Sequence, residues 1–423
     1  MATELIHLSG IINRPLVDAK TGDRLGRVRD LIVRLGDSPH PPVTGLVVRI
    51  GGRDLFVPAR KIADIEPGRR VTFNGAKVDL RRFERREGEL LLARDLKARH
   101  LINLVGGRLI KANEIELTKD DSGGWEVVGV DPTARGLLRR LLPGRIGQGS
   151  EARAIVDWDS IQPFVSHVPT ARLHIPYRKL AKMHPARIAD LVEAASHEEG
   201  EEIIEAVGED PALEADVFEE LDPEHQIEFV EARTDAHAAQ LLGSMAADDA
   251  ADLISEIDQD RRAPILELLP EPQRRKVRSL LRYHPETAGG LMSPDFLLLP
   301  DTTTVEAALA AIRTSTVPRE ALSVVFVSDE DRRVAGSVPA VELIQSPRDT
   351  PLAAVATTDL GHVHPDWDLG ATVRKMSDFN LTVAPVLDPE HRTILGVITV
   401  DDVLELLLPS GFRRDYGMTA AEE

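Results

Sequence analysis

Apolar and polar positions alternate in three different ways along this chain. Over residues 1 to 165, short apolar runs such as "LIVRL", "VTGLVVRI", "DLFVPA" and "RVTFN" are separated by the turn-forming stretches "KTGDRLG", "GDSPHPP" and "GG". Runs of that length and composition between Gly, Pro, Asp and Asn predict the strands of a small β-barrel. A second pass of the same kind follows in "HLINLVGGRLIKANEIELTKDDSGGWEVVGVDP", so this region is expected in two halves. "GLLRRLLPGRIGQGS", residues 136 to 150, carries the Gly, Pro and Arg density of an excursion or linker, and a second linker is expected over 166 to 183.

From residue 184 the period becomes helical. Between Asp222 and Leu281 the chain divides into contiguous blocks of about 12 residues, DPEHQIEFVEAR, TDAHAAQLLGSM, AADDAADLISEI, DQDRRAPILELL and PEPQRRKVRSLL. Most open on a residue suited to a helix start and carry apolar pairs at helical spacing near their ends. Helices this short do not stand alone, and stacking their apolar stripes predicts a small right-handed or armadillo-like superhelix over 184 to 285. Residues 286 to 410 then hold two copies of a helix–strand–turn–strand–helix unit, followed by a tail at 411 to 423. The expected fold class is multidomain α+β: a β region, an all-α superhelix and an α/β pair.

Composition sharpens this outline. The formal net charge of −19 is uneven: residues 1 to 183 sum to about +10, residues 184 to 285 to about −17, and the rest to about −12. An acidic block of that size repels itself unless cations or basic groups sit nearby, which points to cation binding. No stretch reaches the roughly 18 to 20 consecutive apolar residues of a spanning helix, so a soluble protein is expected. The N-terminus lacks the layout of a secretory signal and there is no cysteine, which together predict a cytoplasmic location.

Three resemblances follow from particular residues. "VDAKTGDRLGRVRDLIVRL" resembles the opening of a PRC-barrel at Asp18, Gly22, Leu25, Gly26, Val28 and Asp30. Gly22 suits a turn position with positive φ, and Gly26 lets a bent strand start without a side chain in the way. The PRC-barrel resemblance implies docking and assembly, not chemistry. The repeated helices, "HPARIADLVE" at 184 to 193 and "RYHPETAGGLMSP" at 282 to 294 resemble the N domain and hinge of MgtE magnesium channels. "LTVAPVLD" and "ILGVITVDDVLELL" resemble the second motif of a cystathionine-β-synthase (CBS) pair, two of which pack as a disc.

Site residues come partly from spacing and partly from those resemblances. Asp248 and Asp252 lie one helical turn apart, with Asp249 about 100° round, and Mg²⁺ is a hard ion that takes oxygen ligands while keeping several waters. Helix capping with solvation is the alternative for these acids. The MgtE resemblance implies that they meet acids of the CBS pair, and position by position it carries metal ligation onto Asp368, Ser377, Asn380 and Asp402, with Asp378 beside them. Asn380 stands where that family has an aspartate and Gly370 where it has a glutamate, so the interface carries fewer charges. In adenosine-binding CBS proteins the spacing of Thr399 and Asp402 places a hydroxyl near phosphate and a carboxylate on ribose. Asp401 and Asp402 are equally placed to cap the helix that follows. The first copy has Pro339 and Glu342 at the equivalent places, so one adenine-nucleotide site at most is expected, with ATP as a candidate.

No HExxH helix, P-loop, Ser-His-Asp order or paired-carboxylate motif stands out, so an enzyme is the least supported class. The expected function is a cytosolic Mg²⁺ sensor or regulator of divalent-cation transport, partnered by a separate membrane transporter and dimerised through its CBS pair. It is expected to be cytoplasmic, with a position peripheral to the inner face of the membrane allowed. Three other readings stand beside it: a detached cytosolic subunit of a magnesium transporter, an adenine-nucleotide energy sensor, and an RNA or ribosome assembly factor led by the basic region. The low aromatic content of 4% argues against nucleic acid.

Overall fold

The computed structural model describes residues 5–35, 38–75, 81–120, 123–133, 155–164, 177–390 and 392–407. The expected linker at 136 to 150, most of that at 166 to 183, and the tail after 410 lie outside them. The chain forms two compact units, Met1–Leu221 and Asp222–Glu423.

In the first unit, β1 (Ile6–His7), β2 (Pro15–Asp18), β3 (Arg24–Arg34), β4 (Val43–Ile50), β5 (Arg53–Pro58), β6 (Ile62–Glu66), β7 (Arg70–Phe73) and β8 (Glu89–Leu91) come first. β9 (His100–Asn103), β10 (Arg108–Lys111), β11 (Glu114–Lys119), β12 (Trp125–Asp131), β13 (Val156–Asp157) and β14 (Ile161–Pro163) follow. The larger sheet runs β5-β4-β3-β2-β7-β6, with β8 paired to β3. The later strands form two smaller sheets, β1-β11-β12-β13 and β10-β9-β14. The two passes of strands share one core, in which Leu16, Val28, Leu46 and Val71 pack with Leu101, Ile115, Leu117 and Val127. That is why neither half repeats as a free-standing module.

Two sequence features act here as local chemistry requires. Gly22 has φ +77° in the β2–β3 turn, where its N–H reaches the Asp18 carbonyl at 2.9 Å. A Cβ on Gly26 would lie 2.5 Å from the Arg49 carbonyl oxygen, so the close strand approach excludes a side chain. Asp30, buried on β3, accepts from the N–H groups of Leu31 (2.8 Å), Ala93 (2.7 Å) and Arg94 (3.0 Å), pinning the π-helical turn Leu92–Leu96 to the sheet. Burial pushes its carboxyl up to about 6 against those three bonds, with the Asp95 charge adding to the rise.

Among the described residues of this unit, four helices follow: α1 (Tyr177–Leu180), α2 (Pro185–Ala194), α3 (His197–Val207) and α4 (Pro211–Glu219). α2 packs on β10, and Arg187 lies against Gly107. His100 Nδ1 of β9 is 3.4 Å from the Glu199 carboxylate of α3. Helices α1 to α4 thus belong to the first compact unit, in which α2 is seated on a strand.

The second unit opens with α5 (Pro223–Glu231), α6 (Asp235–Leu242), α7 (Ala247–Glu256), α8 (Gln259–Leu268) and α9 (Glu271–Leu280). Each is one of the 12-residue blocks, and α6 packs on α8 as α7 packs on α9. The α/β part contains β15 (Leu298–Pro300), α10 (Val305–Thr314), β16 (Val324–Ser328), β17 (Val334–Pro339), α11 (Ala340–Gln345) and α12 (Leu352–Val355). Its second copy has α13 (Leu369–Phe379), β18 (Val383–Leu387), β19 (Ile394–Thr399) and α14 (Val400–Leu407). Phe326 of the first copy packs with Val383 and Val397 of the second, joining the copies through one apolar cluster. The "AGGLMSP" stretch is held on the second copy: Ala288 N–H donates to Trp367 O at 2.7 Å, and Ser293 and Val397 exchange two bonds of 2.8 Å.

Candidate cation site

The repeat that gives α7 its apolar face also sets its acids. Ala247, Ala250, Ala251, Leu253 and Ile254 are buried, leaving Asp248, Asp249 and Asp252 on the other side of the first two turns. Asp248 is the unusual one. Its Oδ1 is buried and takes no hydrogen bond among the described residues. Burial pushes its carboxyl up to about 7, with a smaller opposing bond from its own N–H, and the charges of Asp402, Asp252 and Asp295 add to the rise. The charges of three acids thus act on one half-buried carboxyl group.

Each neighbour is held differently. Asp402 takes a 2.6 Å hydrogen bond from the Thr399 hydroxyl and a 3.2 Å bond from Thr399 N–H, while Asp402 N–H reaches back to Thr399 Oγ1 at 3.5 Å. This reciprocal pair caps α14. Asp402 is raised by burial, offset by those Thr399 bonds, and raised further by Asp401 and Glu320. Asp295 is neutralised by Lys276 of α9, whose Nζ lies 2.5 and 2.7 Å from its two oxygens. Asp252, pushed up to about 6 by burial and then by Glu256, is largely exposed, so solvent screens its charge more than that of Asp248.

Asp248 is not a solvated cap, since one of its oxygens is buried and unbonded; removing a carboxylate oxygen from water without a partner costs about 1 to 3 kcal/mol or more. Asp402 is a cap whose charge also acts on Asp248. A donor set made only of carboxylate oxygens suits a hard divalent cation and gives nothing to a soft one.

The remaining predicted residues lie elsewhere on the second copy. Asp368 caps α13, accepting from Ala371 N–H at 2.7 Å. Ser377, Asp378 and Asn380 are exposed at the other end of that helix, and Asp401 is exposed on α14. Asn380 has φ +53°, a left-handed C-cap conformation that asparagine adopts more readily than most residues, which accounts for its identity there. Lys276, Asp295 and Glu320 were missed by the sequence reading. No local pattern links Asp295 to α7 across more than 40 residues of chain.

Residues 183–286 match the family model of the MgtE intracellular N domain, and residues 352–409 match that of the CBS domain. This chain thus carries an MgtE-type N domain followed by a CBS pair. It is 35% identical over 141 residues to the magnesium transporter MgtE of Thermus thermophilus, covering 33% of this chain and 31% of that protein. It is 28% identical over 132 residues to the magnesium transporter MgtE of Enterococcus faecalis, covering 31% and 29%. The chain spans about a third of the length of these relatives. Among solved structures, the cytosolic domain of the Mg²⁺ channel MgtE in complex with ATP is similar with a TM-score of 0.51 and 28% identity, over 54% of this chain and 93% of that one. The soluble part of a magnesium transporter shares the fold, with a TM-score of 0.50 and 23% identity over 54% and 90%. No helix of the described residues is long and apolar enough to cross a membrane.

Proposed function

We propose that the second unit is a divalent-cation sensor, with Mg²⁺ as its ion, acting in magnesium or related transport homeostasis without catalytic activity of its own. The observation that carries this reading is the buried, unbonded Oδ1 of Asp248 beside the charges of Asp402 and Asp295. Asp248, Asp252, Asp295 and Asp402 hold the hydrated ion, with Asp249 at the margin. Asp368, Ser377, Asp378 and Asn380 form an outer set. Without cation these carboxylates repel. A cation that binds their close arrangement better than their separated one shifts the population toward it by that difference in affinity.

A nucleotide reading of Thr399, Asp401 and Asp402 is supported by the ATP complex of the MgtE cytosolic domain. It requires a ribose to share Asp402 with the Thr399 cap. Dimerisation through the CBS pair is supported by exposed apolar residues on both copies, Val341 and Ile344 on α11 and Val400, Leu404 and Leu407 on α14, of which Ile344 and Leu404 stand at matching places. The partner in this reading is a membrane divalent-cation transporter, whether bound as a subunit or regulated from the cytoplasm, and the β region is its PRC-barrel-like docking module.

The test is a titration of the purified chain with Mg²⁺, with and without ATP, followed by calorimetry and small-angle scattering. A saturable response lost in Asp248→Ala and Asp402→Ala is the expected result. Heat and compaction that do not change with any divalent cation would reject the sensor.

A further inference from the structure

The basic charge of the first unit is not spread evenly over its strands. Arg27 and Arg29 both project to solvent from β3, on either side of the buried Val28. In the β3–β4 register Arg27 stands directly opposite Arg49, also exposed. Like charges opposite one another on a sheet face are destabilising unless an anion sits between or beside them. The structure supplies one such anion, Asp54, which Arg49 grips with two bonds of 2.8 Å. The Arg49 hydrogen bond holds the Asp54 carboxyl below its ordinary range, and the charges of Arg49, Arg29 and Arg82 pull it the same way. Arg49 of β4 holds this carboxylate, and the charges of Arg29 on β3 and of the exposed Arg82, which pairs with Leu55 of β5, act on it as well.

Beside this cluster, Phe56 and Phe83 pack against Ile32, Val47 and Leu91, and the Arg86 guanidinium lies 5.1 Å over the Phe56 ring. The rings are turned into that packing and one is capped by an arginine, so they form no free platform on which bases could stack. Guanidinium forks match phosphate oxygens, and a broad sheet face presents several at once to a planar array of them.

We propose that the face formed by Arg27, Arg29, Arg49 and Arg82 docks on the anionic phosphate headgroups of a lipid bilayer. Lipid is the chosen source of phosphate because the charge lies across a sheet surface without a base-stacking platform. The choice also rests on the transporter reading given above, which sets the chain beside a membrane.

The experiment is co-sedimentation of the full chain with phosphatidylcholine vesicles, with and without phosphatidylglycerol, at two salt concentrations, with inorganic phosphate and duplex DNA as competitors. Binding is expected only to the anionic vesicles, and it weakens as salt rises. The triple variant Arg27→Gln/Arg29→Gln/Arg49→Gln is expected to bind about a hundredfold more weakly, from about a fivefold contribution of each arginine. The control Arg69→Gln/Arg108→Gln/Arg313→Gln, with the same change in net charge, is expected to bind like the parent. Asp54→Asn removes the one opposing charge without removing a guanidinium and is expected to bind severalfold more tightly, which keeps the test alive if the triple variant folds poorly. Absence of binding to anionic vesicles, equal loss in the control, or no gain in Asp54→Asn would overturn the proposal. So would DNA binding that outcompetes vesicles and is lost in the triple variant, which would make the face a nucleic-acid surface. The Mg²⁺ titration of the same triple variant separates the two readings: its response should persist, and vesicle binding without any Mg²⁺ response would reject the sensor alone.

Discussion

The Thr399 hydroxyl lies 2.6 Å from the Asp402 carboxylate, and it fixes the neighbouring charge that, after burial, does most to raise Asp248. A helix cap and a cation cluster thus share one side chain. Thr399→Val keeps the shape and removes the hydroxyl, which should lower stability by about 1 kcal/mol. It also releases Asp402 from its fixed rotamer, so the Mg²⁺ response should weaken, whereas Thr399→Ser should retain both. Urea denaturation and Mg²⁺ calorimetry on the two variants check this. A valine variant with unchanged stability and an unchanged titration would separate the cap from the site.

The affinity for cation should depend on pH through Asp248. Its carboxyl, pushed up to about 7 chiefly by burial, holds a proton in part of the population near neutrality, and the proton competes with the ion. Mg²⁺ affinity is therefore expected to rise as pH rises toward and through about 7, then level off. Calorimetry in buffers of different ionisation enthalpy should detect proton release on binding below that point.

The same shift gives a stability prediction of opposite sense. A carboxyl raised in the folded state binds more protons folded than unfolded, so without cation stability is greatest at acid pH and falls as pH climbs from about 4 to about 7. Asp248→Asn should abolish that loss, stabilising the cation-free protein near neutral pH by up to about 3 kcal/mol once screening is allowed for. Its melting temperature should also stop responding to Mg²⁺.

Asp30 makes a separate prediction for the β unit. Its folded carboxyl, raised to about 6 by burial, loses stability for this unit as pH rises from about 4 through about 6, with no further change above that. Asp30→Ala leaves three N–H groups without their acceptor and should cost at least about 3 kcal/mol. Trp125 and Trp158 are buried in this unit, so their fluorescence in a Trp367→Phe background follows its unfolding alone.

How much could be read beforehand depended on the range of the interactions. The 12-residue blocks became α5 to α9 almost residue for residue, because caps and apolar pairs are local. Gly22 was legible for the same reason. The seating of α2 on β10 was not, since contacts such as that of Arg187 with Gly107 are encoded by no periodicity. Of the acids proposed for the site, Asp248, Asp252 and Asp402 were named from spacing and resemblance, whereas Asp295 and its partner Lys276 come near only through tertiary packing. Asn380 was read as a lost charge, and its left-handed backbone was invisible in the sequence.

Lys276 supplies the last prediction. Its ammonium now cancels Asp295 at 2.5 and 2.7 Å, so one of the carboxylates acting on Asp248 is already paired. Lys276→Met removes that counter-charge while keeping most of the side-chain stem. The cluster gains one net negative charge, which should tighten Mg²⁺ binding severalfold. It should also lower cation-free stability by no more than about 1 kcal/mol, the usual limit for a partly exposed pair. The two effects have opposite signs, so Mg²⁺ should raise the melting temperature of the variant more than that of the parent. A titration unchanged by Lys276→Met would remove Asp295 from the site and leave Asp248 and Asp402 as its core.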